Sequence, residues 1–312
     1  MSALPHTAEA PLQINKGLWL GLLGIVIFSV TLPMTRLAVG SLEAPQMSGM
    51  FIAAGRAVVA AALSAVFLLA TRAPLPRQAD WWPLAITAGG VVFGFPFLTS
   101  IAMRYVEAMH ASVIVGVLPL ATAAVGAWLH SQRPSTGFWL CAALGSALVV
   151  AFALLKSGSA GGVSLRVADL LLLAAMLCAA VGYGYGARLS QRMRAEHVIC
   201  WALVISLPLT LPLAFISWPQ APVKAAAWWG FAYVAVFSMW LGFFAWYRGL
   251  ALGGTVRVSQ VQLVQPFLSM LFAVPLLGER LDAVTVGFAL AVIATVFIGK
   301  KMPVGVLVGI VK

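Results

Sequence analysis

Apolar residues in this chain fall into blocks of about twenty, the length an α-helix needs to cross about 30 Å of hydrocarbon. Lipid offers backbone N–H and C=O groups no partners, so such blocks must be helices or the strands of a closed barrel. Strict two-residue alternation is missing, which excludes the barrel. With 62% of its 312 residues hydrophobic and 9% charged, the chain has no stretch left over for a soluble domain.

The blocks place spans at 17–39, 47–71, 82–103, 108–130, 135–155, 167–190, 197–217, 224–247, 254–277 and 281–299. The expected fold is therefore an all-α membrane protein of ten transmembrane helices. Turns are expected at Ala73-Pro74-Leu75-Pro76-Arg77, at Ser131 to Pro134 and at Trp218 to Pro222. Trp81-Trp82 and Trp228-Trp229 mark interfacial belts. Residues 1–16 read as a polar tail and 156–166 as a Gly- and Ser-rich linker, dividing a first unit, 17–155, from a second, 167–299. Residues 300–312 form a closing tail too short to span. The N-terminal tail lacks a basic segment followed by an apolar core and a cleavage site, so the first block is expected to act as an uncleaved anchor.

The net charge of +11 does not point to nucleic acid, because Lys and Arg sit singly at block ends, where they orient helices and meet anionic headgroups. With the N-terminus cytoplasmic, that side holds twelve of them: Lys16, Arg72, Arg77, Arg133, Arg188, Arg192, Arg194, Arg248, Arg257, Lys300, Lys301 and Lys312. The other side holds six: Arg36, Arg104, Lys156, Arg166, Lys224 and Arg280. Both termini are thus expected in the cytoplasm. Cys141, Cys178 and Cys200 lie inside apolar blocks with no CxxC or Cys/His cluster, so neither metal nor disulfide is expected.

The two halves resemble each other. At an offset of 147 residues Ser112 meets Ser259, Pro119 meets Pro266 and Arg133 meets Arg280. At an offset of 152, Arg36 meets Arg188. Five spans per half is an odd number, so the second half would insert upside down. Such inverted repeats hold substrate between them near the midplane.

All eight acidic residues (Glu9, Glu43, Asp80, Glu107, Asp169, Glu196, Glu279 and Asp282) lie in loops or near span ends. A carboxylate relay in mid-membrane is therefore not expected. No His-Glu-x-x-His, P-loop or Gly-x-Ser-x-Gly pattern occurs, and nothing supports an enzyme or a cofactor. Polar residues inside spans carry more information. Ser259, Gln262 and Gln265 share one helical face before Pro266, either lining a cavity or joining helices by hydrogen bonds. His110 and Ser112 lie beside Glu107, and His110 is a proton-sensitive gate, a substrate contact or an interfacial histidine. Arg56, about two turns into the second span, either snorkels, holds a structural contact or anchors a substrate carboxylate. Aromatic residues gather at Phe93, Phe95 and Phe97, in the run Gly182-Tyr183-Gly184-Tyr185-Gly186, and along Phe237, Trp240, Phe243, Phe244, Trp246 and Tyr247. Tyr183, Trp240 and Phe244 are expected to form an aromatic wall. Pro33, Pro96, Pro119 and Pro266 interrupt spans and are expected to kink helices that gate the path.

These features resemble the EamA-type members of the drug/metabolite transporter superfamily. The second half carries Pro266, then Pro275-Leu276-Leu277-Gly278-Glu279-Arg280-Leu281, then Gly287 and Gly299. The first half carries Pro119, Arg133, Gly137 and Gly145, and departs at Gln132, where the family has Glu. The opening span, with Ser29 and Pro33, looks closest to bacterial exporters of aromatic and neutral amino acids. The resemblance implies a cavity lined by the first, third, fourth, sixth, eighth and ninth spans, with Ser29, Phe97, His110, Ser112, Tyr183, Trp240, Phe244, Ser259, Gln262 and Gln265 as contacts. It implies an inner-membrane exporter of small metabolites working by alternating access, with the lipid bilayer and a small-molecule substrate as partners and a monomer as the working unit. The alternatives are a multidrug or nucleotide-sugar exporter of the same superfamily and, from another class, a membrane enzyme acting on lipids. Without a mid-membrane acid, facilitated diffusion is expected, proton exchange through His110 and Glu107 being the alternative.

Overall fold

A computed structural model describes residues 9–106, 108–116, 118–157, 167–277 and 283–306. The described chain is helical almost throughout. Seven helical stretches are long and apolar enough to cross a membrane: Gln13–Val39, Gly49–Ala70, Gln78–Ala102, Val167–Leu189, Ala195–Ile216, Ala225–Gly253 and Thr255–Leu276. The expected spans at 108–130, 135–155 and 281–299 contain the shorter apolar helices Leu118–Leu129, Thr136–Leu148 and Val286–Gly299.

Several stretches are broken, and the breaks follow from chemistry. The first divides into α1 (Glu9–Ser29) and α2 (Thr31–Val39), and Pro33, which lacks an N–H, leaves the Ser29 carbonyl without its helical donor. The second is α3 (Gly49–Ala70), capped by the Ser48 hydroxyl accepting from the Phe51 N–H at 3.0 Å. The third runs α4 (Trp81–Ala88), a π-helical segment Gly89–Gly94, then α5 (Phe95–Ala102) with Pro96 near its start. Next come α6 (Ala108–Val115) and α7 (Leu118–Leu129), parted just before Pro119. A short strand β1 (Gln132–Pro134) replaces the turn expected there and leads into α8 (Thr136–Ser157).

The second half follows as α9 (Val167–Leu189) and α10 (Ala195–Ile216). Then α11 (Ala225–Tyr233), a second π-helical segment Val234–Leu241 and α12 (Gly242–Gly253) form one stretch. It is followed by α13 (Thr255–Ser259), a 3₁₀ segment Gln260–Val264 and α14 (Gln265–Leu277), with Pro266 second in α14. The chain closes with α15 (Ala283–Lys301) and strand β2 (Val304–Val306). Each of the four expected kink prolines thus opens a helix just after a break, where its missing N–H and ring are tolerated. The two π segments, starting at 89 and 234, occupy corresponding places in their stretches, and α3 and α10 are each 22 residues long.

Glycine sets the closest helix contacts. Along α1 and α12, a Cβ on Gly17 would lie 2.3 Å from the Gly253 nitrogen, and one on Gly249 would lie 2.7 Å from the Gly21 nitrogen. Gly17 and Gly21, like Gly249 and Gly253, are four apart, so each pair faces one way and lets the backbones meet. A second seam joins α9 to the π segment after α4, where a Cβ on Gly90 would lie 2.4 Å from the Cys178 carbonyl oxygen. α3 packs along α10, and α8 along α15. β1 and β2 pair antiparallel, Gln132 opposite Val306 and Pro134 opposite Val304, and the Ser135 N–H donates to the Pro303 carbonyl at 3.1 Å.

Candidate functional site

The broken stretches converge on a cavity. Phe28, Thr31 and Leu32 reach it from the break between α1 and α2, and Val91 and Phe95 from the first π segment and its exit. Val115 and Leu118 flank the break before Pro119, Ser238 comes from the second π segment, and Gln265 opens α14. A helix interruption turns side chains away from their expected faces and frees backbone groups, so breaks placed together make a concave site.

The wall is mostly aromatic. Phe243 lies 5.1 Å from Phe28 and 6.0 Å from Tyr183, centroid to centroid, and Trp246 backs Tyr183 at 5.4 Å. Polar groups are few: the Thr31 hydroxyl donates to the Ser238 hydroxyl at 2.8 Å, and Arg56 and Gln265 complete the lining. The volume open to the centre of a water molecule is about 20 Å³, room for a water or so. As it stands the cavity is too small for a metabolite, which enters only if the helices part.

The two ends of the bundle differ. At one end lies a wider mouth of about 370 Å³, lined by Leu129, His130, Ser131, Gln132, Arg188, Gln191, Gly254 and Thr255. His130 Nε2 lies 3.3 Å from the Thr255 hydroxyl. At the other end Arg36 Nη1 donates to the carbonyls of Met103 at 2.6 Å and Arg104 at 3.4 Å. Arg104 Nη2 in turn donates to the Met47 carbonyl at 3.0 Å. These bonds tie the ends of α2 and α5 to the start of α3.

Of the residues expected at the site, Tyr183 and Gln265 line the cavity. Ser29 is fully buried one residue from Phe28, its hydroxyl donating to the Ile25 carbonyl within α1 at 2.6 Å. Phe97 stacks on Phe93 at 6.1 Å. Trp240 and Phe244 turn instead to Phe67 of α3, at 6.2 and 5.1 Å, and do not join the lining. The reason is local: the Val234–Leu241 segment winds with i→i+5 bonds, so faces drawn with α-helical spacing shift, and Phe243 takes the wall position. Ser259 donates to the Val256 carbonyl at 2.8 Å. Gln262 is 1% exposed, and neither atom of its amide has a partner. The side chains of His110 and Ser112, and Glu107 as a whole, lie outside the described residues. Phe28, Thr31 and Ser238 escaped the sequence reading, and Phe243 was named there among the aromatic residues but not among the contacts. Arg56, weighed there but left out of the contacts, is the buried cation of the site. Its signal was a charge within an apolar span.

A cavity among interrupted, lipid-length helices is an arrangement that suits a membrane transporter. The EamA-like transporter family matches this chain twice, over residues 15–155 and again over 166–299, and the chain belongs to that family. The uncharacterized transporter YdeK of Bacillus subtilis (strain 168) is 42% identical over 285 residues, covering 90% of this chain and 96% of its own. A solved crystal structure of 17% identity covers 91% of this chain and 96% of its own with a TM-score of 0.72, which establishes the likeness of fold alone.

Proposed function

We propose that this transporter exports aromatic or neutral amino acids across the inner membrane by alternating access between two inverted five-helix halves, with both termini in the cytoplasm. The observation that carries the reading is the closed cavity with four aromatic rings (Phe28, Phe95, Tyr183 and Phe243) and a small polar set. Burying an apolar side chain against such rings yields about 25 cal/mol per Å² removed from water. Two matches of one family to one chain, and π segments at corresponding places in the third and eighth expected spans, support the inverted halves. The hydrogen-bonded Arg36–Arg104 end and the wider His130 mouth at the opposite end support a carrier whose two sides open differently.

Counterflow in proteoliposomes tests this. Vesicles preloaded with unlabelled phenylalanine should accumulate labelled phenylalanine transiently, at equal pH and in the presence of a protonophore. No counterflow with any aromatic or neutral amino acid would sink the substrate assignment.

Gln262 provides a sharper check. A buried amide without partners costs about 1–3 kcal/mol, a cost offset when a solute or a second conformation supplies the bonds. Gln262→Leu is expected to lower counterflow roughly tenfold, the equivalent of about 1.4 kcal/mol, while the melting temperature holds or rises. A fall in melting with counterflow intact would make Gln262 a packing residue.

A further inference from the structure

Arg56 lies in the second turn and a half of α3, 2% exposed, with its Nε buried and without a hydrogen-bond partner. It lines the closed cavity, where no Asp or Glu appears among the lining residues. The ion pairs among the described residues are at helix ends: Arg192 with Asp80, and Arg194 and Arg248 with Glu196. Arg36 and Arg104 show what a structural arginine does in this bundle, each donating to helix-end carbonyls. Arg56 does neither. A guanidinium held in a low-dielectric interior without a counter-charge is strongly disfavoured unless something else supplies the negative charge. Here it faces the cavity.

We propose, on top of the exporter reading above, that Arg56 anchors the carboxylate of the transported solute. The planar guanidinium matches a carboxylate with two parallel N–H···O bonds, a geometry no other cavity residue offers. Gln265 and the Thr31–Ser238 hydroxyl pair remain to accept from an amino group, and Phe28, Tyr183 and Phe243 enclose the apolar body. The site therefore selects for the carboxylate and against amines that lack one, since a lone cation would face Arg56 with nothing between them.

Three solutes that share a benzyl group separate the possibilities: L-phenylalanine, phenylacetate and phenethylamine. With the purified full chain, phenylalanine and phenylacetate should raise the wild-type melting temperature and support counterflow, and phenethylamine should do neither. Arg56→Gln should raise the half-effective concentration of both carboxylates at least tenfold. Arg56→Lys keeps the charge in place if Arg56→Gln does not fold, and should still weaken both severalfold because the fork is gone. Phenethylamine carried as well as phenylacetate by the wild type would overturn the anchor without any variant. So would unchanged carboxylate binding in either variant, and in both cases the exporter reading would stand. Phenylacetate bound and phenylalanine refused would keep the anchor and overturn the amino-acid assignment. A wild type that responds to none of the three overturns both.

Discussion

Gly249→Leu is expected to leave almost no folded, extractable protein. A Cβ at this position would already sit 2.7 Å from the Gly21 nitrogen, 2.9 Å from the Gly17 carbonyl oxygen and 3.0 Å from the Gly21 Cα. All three are backbone atoms, so no rotamer change on α1 can make room, and α1 and α12 must separate along the whole seam. Overpacking of an ordinary core costs about 1–3 kcal/mol. A branched side chain forced between two backbones costs more, against a total stability of about 5–15 kcal/mol for a typical fold. The seam also holds Phe28 and Phe243 in place beside the cavity, so partial separation would end transport before unfolding. Gly287→Leu is the matched control, because nothing lies within 4 Å of a Cβ there. Size-exclusion profiles and melting curves of the two variants decide the matter: equal yield and equal melting would show that the seam tolerates a side chain.

Ala179→Met is expected to abolish counterflow, by at least tenfold, while leaving a folded protein. Ala179 is fully buried on α9 and lines the cavity, where about 20 Å³ is open to the centre of a water. Methionine is unbranched and flexible, so it can thread into an irregular gap that a ring could not occupy. The space it fills is the space the proposed site offers an apolar solute. Melting should move little, since the added atoms find apolar neighbours. Transport at the wild-type rate, with melting unchanged, would place the solute path elsewhere in the bundle. Phe244→Ala makes a useful contrast, as that ring packs on Phe67 outside the lining. Its loss should lower stability without changing which solutes are preferred.

Span-length apolar blocks made the helices legible, and Pro33, Pro96, Pro119 and Pro266 located four of the breaks, whereas Pro208 and Pro212 in α10 and Pro275 in α14 lie inside continuous helices, so a missing N–H alone does not mark a break. The π segments had no such marker. Winding with i→i+5 bonds needs no particular residue, and the second segment contains neither proline nor glycine. That hidden extra residue per turn separated Trp240 and Phe244 from the wall and brought Phe243 to it. Arg56 was visible as a charge in an apolar block, but its surroundings were not. Whether a lone arginine snorkels, ties down carbonyls or faces a cavity depends on which helices lie opposite, and that is a tertiary fact. Gln265 was legible for the opposite reason: an amide next to a helix-breaking proline in an apolar span has few other uses.

The small β1–β2 pair constrains the path of the chain through the bilayer. Backbone bonds join Gln132–Pro134 to Val304–Val306, so these two segments occupy one compartment. Between them the chain must therefore cross the membrane an even number of times, whatever the distribution of charges. Four stretches in that interval are long and apolar enough to cross, Val167–Leu189, Ala195–Ile216, Ala225–Gly253 and Thr255–Leu276, and the shorter apolar helices within α8 and α15 keep the parity only if they cross as a pair. Removing any one crossing from that series would put the two strands in different compartments, and the pair could not form.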